Sequence, residues 1–306
     1  MSHGFEGTDE TVHRAEQADE HGRVAQHGQV AGAGFEARRF AQRSFIERCL
    51  NFFLPFGNIH QARLDDVGEG RALLTRHVVD GLVEVARVAQ VITSQNRIPL
   101  IQNGTIDFEC GSTTNNRTRQ KDVDFAYTTY VEEVRIAVNK KSGIKSIKDL
   151  NGKTVATTTG TTSVQTLRKN ERAQGIDFKE VLGKDHADSF LLLESGRADA
   201  FVMDGSILAA NIARSKNPKD FEIVGEVLSV EPIACMMPKG DEKLKKAIDA
   251  SIVRQIKDGS LAKLYDKWFM QPIPPNNVTL NMPLSASTKA AWENPNDKPM
   301  EDYGNK

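Results

Sequence analysis

Several features that mark common protein classes are missing from this sequence. No stretch reaches the roughly 20 apolar residues that a transmembrane helix requires; residues 45–56 come nearest and are interrupted by Glu47, Arg48 and Asn51. The formal net charge is −1, so no basic excess favours a nucleic-acid partner. With 39% hydrophobic and 26% charged residues, the composition indicates a soluble globular protein. The length of 306 residues fits two domains or one split domain.

Residues 1–90 lack lysine, tyrosine and tryptophan, whereas lysine is frequent from Lys121 onward. They contain no apolar segment typical of a secretory signal, so we expect no signal peptide in this chain. They hold six of the seven histidines, but the spacing matches no ligand pattern such as H-x-x-x-H, and no metal site is predicted. Two interpretations are open, an unfamiliar N-terminal module and a non-native start such as a shifted reading frame. The composition favours the second.

Cysteine is scarce. Cys49, Cys110 and Cys235 form no CxxC motif and no metal-ligand spacing. Two states stay open at this point: buried free thiols, and a disulfide between Cys110 and Cys235. The chain also shows no internal repeat and no low-complexity run.

Residues 93–119 contain most of the polar groups of the predicted binding site. Pro99 near the start and Gly104 just past the end predict a short helix over Arg97–Asn103. Ile106–Cys110 then alternates apolar and acidic residues, which predicts a strand with one buried face. Two guanidinium groups and four hydroxyl groups flank these elements and suit a carboxylate ligand. They belong to Arg97 and Arg119, and to Ser94, Ser112, Thr113 and Thr114.

Strands and helices alternate from Val134 onward, which favours an α/β fold. The β-branched run Thr154–Thr158 predicts a strand, and residues 160–163 open a helix that runs to Gln174 and ends at Gly175. The first N–H groups of such a helix have no internal partners, so an anion can bind there. The simpler alternative is that Thr162 and its neighbours only cap the helix.

Two further polar residues follow predicted strands. His186 lies in a polar loop that leads into a helix over Asp188–Ser195, and Asp204 stands at the tip of a strand over Ala200–Met203. A lone histidine is usually structural and a lone aspartate usually caps a helix. Together with Thr162, however, both lie at the carboxyl edge of one predicted parallel sheet, where ligands bind in open α/β folds.

With these residues assembled, the chain from about Val91 to Asp297 resembles the periplasmic glutamate/aspartate-binding proteins of ABC transporters, in the polar amino acid solute-binding family. The resemblance is carried by T-S-Q-N-R-I-P-L at 93–100, F-E-C-G-S-T-T-N-N at 108–116, G-T-T-S at 160–163, K-D-H at 184–186, E-S-G-R-A at 194–198, and D-K-W-F at 266–269 with P-I-P-P at 272–275. Residues 1–90 do not share it.

The resemblance implies a two-lobe α/β fold of the type II periplasmic-binding-protein kind, with two hinge crossovers. We expect one lobe at residues 134–224, and a second lobe built from residues 91–131 and 231–306. The crossovers are expected near Tyr127–Glu133 and Gly225–Pro232. The family begins its first lobe in the region where residues 1–90 differ, so this lobe is expected to be incomplete.

The resemblance also implies a site for an acidic amino acid. The ligand α-carboxylate would meet a guanidinium and two hydroxyls, the ammonium a carboxylate and a hydroxyl, and the side-chain carboxylate a guanidinium, a hydroxyl and an imidazole. The residues for the α-carboxylate are Arg119, Thr114 and Thr162. Those for the ammonium are Asp204 and Ser112. Those for the side-chain carboxylate are Arg97, Ser94 and His186. No cofactor is implied.

The function implied is the substrate-binding component of an ABC transporter, which captures L-glutamate or L-aspartate by lobe closure and delivers it to a membrane permease. The expected setting is the periplasm, and the expected form is a monomer without enzymatic activity. Two alternatives are an enzyme on the same scaffold, such as a dehydratase of small carboxylates, and a misassigned product without function.

Overall fold

The computed structural model describes residues 78–79, 82–83, 91–273 and 277–303. The predictions for residues 1–77 and 84–90, including those for the N-terminal histidines and Cys49, lie outside these residues. Within the described part, two short strands pair in antiparallel fashion ahead of the main body. They are β1 (Val78–Val79) and β2 (Leu82–Val83).

A five-stranded sheet forms the larger layer of the described chain. Its strands are β4 (Tyr130–Asn139), β5 (Thr154–Thr158), β6 (Lys179–Gly183), β7 (Ala200–Asp204) and β8 (Phe221–Ile233), in the spatial order β6-β5-β7-β4-β8. β5 is parallel to β6 and β7, whereas β4 is antiparallel to β7 and β8. The prediction of a parallel sheet is therefore correct for three strands and wrong for the sheet as a whole, which is mixed.

Three helices cover this sheet, and we call residues 130–233 the large-sheet region. The helices are α2 (Thr162–Gln174), α3 (His186–Glu194) and α4 (Gly205–Arg214), with 3₁₀ turns at Lys140–Ser142, Ile147–Leu150 and Pro218–Asp220. α2 ends as predicted, at Gly175 with φ 64°, a left-handed conformation that glycine adopts without steric cost. One apolar cluster under α2 includes Leu167, and a second under α3 and α4 includes Phe201.

The other described elements surround a two-stranded antiparallel sheet, and we call residues 91–129, 234–273 and 277–303 the small-sheet region. The strands are β3 (Val123–Phe125) and β9 (Met236–Pro238). The helices are α1 (Arg97–Gln102), α5 (Glu242–Lys257), α6 (Ser260–Tyr265) and α7 (Ala286–Glu293); α6 continues as a π-helical turn over Asp266–Met270, and 3₁₀ turns lie at Arg119–Lys121 and Met300–Asp302.

The strand predicted over Ile106–Cys110 does not form. Only Glu109 pairs with a strand, through an isolated bridge to Met236 with N···O distances of 2.8 and 2.9 Å. The Glu109 carboxylate instead turns back and accepts hydrogen bonds from the Gly111 N–H, at 2.6 Å, and from the Thr113 hydroxyl, at 2.5 Å. Such side-chain bonds to nearby groups compete with a regular ladder.

β4 and β8 are the longest strands and run side by side, from the pair Tyr130–Ile233 to the pair Asn139–Phe221. They contain most of the two predicted crossover segments. Their pairing is interrupted between Val134 and Ile136, because Val134 pairs with Ser229 and Ile136 with Val224. The division into lobes at residues 131/134 and 224/231 stays a prediction.

Two non-local connections involve the small-sheet region. The first lies within it, and the second also reaches the large-sheet region. Cys110 and Cys235 form a disulfide with an S–S distance of 2.13 Å, which settles the alternative left open by the sequence. The C-terminal segment binds the start of β4, because the Thr288 hydroxyl accepts the Val131 N–H at 3.0 Å and the Trp292 indole N–H donates to the Thr129 carbonyl at 2.8 Å.

Candidate functional site

The parallel strands bring three of the predicted site residues to one edge of the sheet. Asp204 is the last residue of β7, His186 follows the end of β6, and Thr162 follows the end of β5. All three are buried. The sequence-based expectation that these side chains share the carboxyl edge of the sheet is met by this topology.

The turn at Gly160 lets the small-sheet region approach this edge closely. Gly160 has φ +79°, and a Cβ built on it would lie 2.6 Å from the Cα of Gln95. Only glycine fits there, because a side chain would collide with the backbone beside Ser94. Ser94 is thereby placed next to the N-terminus of α2, while Thr162 opens that helix.

Arg119 joins the two regions across this approach. Its guanidinium donates to the Thr114 carbonyl at 2.8 Å and to the Gly160 carbonyl at 3.3 Å. Burial, together with the nearby charge of Arg97, lowers the pKa of Arg119 to about 9. The group is still cationic at neutral pH, so a positive charge is held in a buried position.

Arg97 supplies a second buried guanidinium from the start of α1. One of its terminal nitrogens donates to the Thr113 hydroxyl at 2.6 Å and to the Ser112 carbonyl at 3.3 Å. Its Nε is buried and has no hydrogen-bond partner among the residues that the structure describes. Burial lowers its pKa, while the charges of Glu109 and Asp204 oppose that shift. Arg97 therefore has donor capacity that the protein itself does not use.

Asp204 presents a buried carboxylate oxygen. The residue occupies the N-cap position of α4, yet its side chain makes no capping hydrogen bond, and its Oδ1 has no partner within the described part of the chain. The alternative that Asp204 merely caps the helix is therefore wrong for this structure. Burial and the charges of Glu132 and Glu231 raise its pKa well above the usual value, against the opposing charges of Arg97 and Arg119.

His186 is a buried, neutral donor or acceptor. Its Nδ1 lies 3.1 Å from the Thr158 hydroxyl, which in turn lies 2.8 Å from the Ser189 hydroxyl. Burial and then the charge of Arg97 lower the pKa of His186 to about 4. The imidazole is thus uncharged at neutral pH and can still offer one N–H to a ligand.

Two acidic residues of the site were missed by the sequence analysis. Glu132 on β4 and Glu231 on β8 are directly paired across the two strands, and both are buried. Glu132 accepts hydrogen bonds from the hydroxyl and the backbone N–H of Ser206, and burial followed by the charge of Glu231 raises its pKa to about 7. The available signal was a pair of acidic residues within each of the two predicted crossovers, Glu132 with Glu133 and Glu226 with Glu231.

Glu231 limits the hydrogen bonds that Thr114 and Thr162 can make to a ligand. The hydroxyls of Thr114 and Thr162 donate to its Oε2 at 2.5 and 2.6 Å. Each hydroxyl has one proton, so their oxygens can only accept from a further partner. Donors for a ligand carboxylate at this point are then Arg119 and the backbone N–H groups at the start of α2.

The site therefore brings guanidinium and carboxyl groups together in one buried place. Arg97 and Arg119 are positive, and Asp204, Glu132 and Glu231 are the carboxyl groups around them. Such groups are tolerated in a protein interior when they are paired or hydrogen-bonded, and a zwitterionic ligand can complete the pairing. No group of three or more histidine, cysteine, aspartate or glutamate side chains in the described residues could hold a metal ion. Within the same residues, every helix is too short or too polar to cross a membrane.

The fold and the site together correspond to the class of solute-binding proteins, and comparison with known families identifies which one. The family model for bacterial extracellular solute-binding proteins, family 3, matches residues 79–271. The chain belongs to this family. The match begins before residue 91, the start expected from the sequence.

Two individual proteins with similar sequences are also solute-binding proteins. The chain is 48% identical to the glutamate/aspartate import solute-binding protein of Salmonella typhimurium strain LT2, over 68% of this chain and 69% of that protein. It is 45% identical to the L-glutamate/L-aspartate-binding protein of Pseudomonas aeruginosa PAO1, over 69% of this chain and 70% of that protein.

Solved structures give the same fold. The substrate-binding protein of an amino acid ABC transporter superposes with a TM-score of 0.56 at 27% identity, covering 64% of this chain and 93% of that one. An ancestral arginine-binding protein bound to arginine gives a TM-score of 0.55 at 33% identity, covering 59% and 79%. The described chain thus has the type II periplasmic-binding-protein fold that the sequence predicted.

Proposed function

We propose that this protein is the substrate-binding component of an ABC transporter and that it captures L-glutamate or L-aspartate. The observation that carries the proposal is that two buried guanidinium groups lie close enough to Asp204 for their charges to act on it, while its buried Oδ1 has no hydrogen-bond partner among the described residues. A dicarboxylic amino acid has two carboxylates and one ammonium, which complement these three groups. The relatives at 45% and 48% identity are named for glutamate and aspartate.

In the proposed complex, Arg119 binds the α-carboxylate together with the backbone N–H groups at the start of α2. The ammonium meets Asp204 and the oxygens of Ser112, Thr114 and Thr162, which accept hydrogen bonds. Arg97 meets the side-chain carboxylate through the Nε that has no protein partner among the described residues.

Two uncharged donors complete the proposed pocket for the side-chain carboxylate. They are the Ser94 hydroxyl and the His186 imidazole, whose low pKa keeps it neutral above pH about 5. A neutral ligand such as glutamine would leave the Arg97 charge without its partner. Acidic amino acids should therefore bind more tightly than their amides.

The protein is proposed to act as a monomer in the periplasm, to close its lobes over the ligand and to deliver it to a permease without chemical change. NMR spectra of glutamate incubated with the protein should stay unchanged over time. Appearance of a new product would favour the enzyme alternative. A thermal melt that shows no shift with glutamate would favour a product without function, since a ligand that binds only the folded state raises the midpoint.

The decisive experiment is calorimetric titration of wild type and Asp204→Asn with glutamate, aspartate and glutamine. Replacement of the Asp204 carboxyl group should weaken glutamate binding by about 3 kcal/mol, because the ligand ammonium loses its buried partner. Asp107→Asn is the matched control, since Asp107 is exposed and outside the site. Equal glutamate affinity in wild type and Asp204→Asn would overturn the assignment of Asp204.

A further inference from the structure

Glu231 receives hydrogen bonds from both regions of the molecule. It lies on β8 and is fully buried. Its Oε2 accepts the Thr114 hydroxyl at 2.5 Å and the Thr162 hydroxyl at 2.6 Å, while its Oε1 accepts the Ser229 hydroxyl at 2.7 Å. Both carboxylate oxygens are thus engaged by neutral donors.

The two threonines belong to different regions. Thr162 is the first residue of α2 in the large-sheet region. Thr114 lies in the small-sheet region, where the neighbouring Thr113 carbonyl accepts the Ala234 N–H at 3.1 Å, and its own backbone bridges to Ile233 at the end of β8. The two hydroxyl oxygens lie only 3.3 Å apart. Each hydroxyl donates its proton to Glu231, so the two threonines share one acceptor.

Burial of the Glu231 carboxyl group is unfavourable unless hydrogen-bond donors surround it. Its partner across the strands is Glu132, and two acidic side chains directly opposite each other repel. A carboxylate can only accept hydrogen bonds, and charge-assisted bonds from hydroxyls are roughly twice as strong as neutral ones. No neutral side chain of this size offers two oxygens that both only accept.

We propose that Glu231 is a positioning residue that fastens Thr114 to Thr162 and so stabilises the closed arrangement of the two regions. The inference rests on the proposed function only in that closure serves ligand capture. The geometry that it describes involves the protein's own residues. It predicts that the open and closed populations depend on Glu231 even without any ligand.

The test measures the distance between two spin labels in the protein without ligand. Cysteines replace the exposed Lys169 on α2 and the exposed Lys246 on α5, in a Cys49→Ser background that leaves the disulfide intact. In the labelled protein that retains Glu231, the shorter label–label distance, which corresponds to the closed arrangement, should dominate. Glu231→Met should shift the closed-to-open ratio by at least about tenfold toward the longer distance, because two charge-assisted hydrogen bonds are lost.

A second pair of variants guards against a simple folding defect. Thr162→Val keeps the shape of the side chain but removes the hydroxyl, and should open the protein like Glu231→Met. Thr162→Ser keeps the hydroxyl and should retain the short distance. Glu231→Met combined with Thr162→Val should open the protein no further than either change alone, because both remove the same connection.

The outcomes are decisive in both directions. Opening by Glu231→Met and Thr162→Val, with closure kept by Thr162→Ser, supports the proposal. A short distance that persists in Glu231→Met, or opening by Thr162→Ser as large as that by Thr162→Val, overturns it. Glutamate added at saturation should restore the short distance in Glu231→Met. If wild type binds no glutamate, the proposed function fails, while the ligand-free distances still decide the role of Glu231.

Discussion

The large-sheet and small-sheet regions are stabilised by different kinds of interaction. In the large-sheet region, five paired strands are covered on both faces by apolar clusters that include Leu167 on one side and Phe201 on the other. The chain is continuous there, from Tyr130 to Ile233. Hydrophobic burial and a regular hydrogen-bond ladder are the main stabilising terms.

The small-sheet region is assembled from separate parts of the chain around strands of three residues each. Its connections are individual and long-range. The disulfide has a sequence separation of 125. The C-terminal helix α7 binds Thr129 within the region and Val131 on β4 of the large-sheet region. The comparison suggests that the large-sheet region resists single polar changes, while the small-sheet region depends on a few specific contacts.

Removal of the disulfide is the strongest test of this difference. The double variant Cys110→Ala/Cys235→Ala should lose about 4 kcal/mol of unfolding free energy, since the bond closes a long loop in the unfolded chain. Hydrogen exchange should accelerate around the bridge between Glu109 and Met236 and stay slow in the large-sheet strands. Cys49→Ala is the control. Equal acceleration in β7 would show that the two regions are not independently stabilised.

The reverse test weakens the large-sheet core. Leu167 is fully buried under α2, and Leu167→Ala should cost about 3 kcal/mol because it removes buried apolar atoms and leaves a cavity. Exchange should accelerate in α2 and β5 while the pairing of β3 with β9 keeps its protection. Lys169→Ala, on the exposed side of the same helix, should change stability little. Faster exchange in β3 as large as that in β5 would contradict the comparison.

The same contrast explains which elements could be predicted from the sequence. The strand over Thr154–Thr158 and the helix to Gln174 were predicted at their observed ends, because β-branched residues, a glycine turn and a closing glycine are local signals. The alternation in Ile106–Cys110 was equally local and was misleading. There the Glu109 side chain satisfies nearby donors instead of extending a strand.

The binding-site residues also could be predicted only where local sequence signals were sufficient. Arg97, Arg119 and Asp204 were found from residue type and position after strands, and a family resemblance supplied their roles. Glu231 was missed because its importance depends on Thr114, at a sequence separation of 117, and on the pairing register of β4 with β8. Register across distant strands is a tertiary property that no local pattern specifies.

The pH dependence of stability gives a smaller effect, located where the two long strands meet. The pKa of Glu132 is raised to about 7 in the folded state against 4.5 in the unfolded chain. Between about pH 4.5 and 7 the folded state binds the extra proton, so this group lowers stability as pH rises. His186, with its pKa lowered to about 4, has the opposite effect between about pH 4 and 6.5.

Substitution separates these two contributions. The free energy of unfolding of Glu132→Gln, relative to that of wild type, should rise by about 2 kcal/mol from pH 5 to pH 8, since each pKa unit corresponds to about 1.4 kcal/mol. Urea unfolding at pH 5, 6, 7 and 8 measures the difference, in which the His186 contribution cancels. Glu133→Gln, whose side chain is 46% exposed, is the control and should show no such gain. A difference that does not change with pH would mean that Glu132 stays charged when buried.

The smallest expected effect concerns the attachment of the C-terminal segment. Thr288→Val keeps the side-chain shape but removes the hydroxyl that accepts the buried Val131 N–H at 3.0 Å, and should cost about 1 kcal/mol because that donor is left unpaired. Exchange of the Val131 amide should accelerate selectively. Ser287→Ala, one residue earlier and exposed, should have no effect. An unchanged Val131 amide would mean that apolar packing attaches α7 to the large-sheet region, and that the small-sheet region depends less on single polar contacts than proposed.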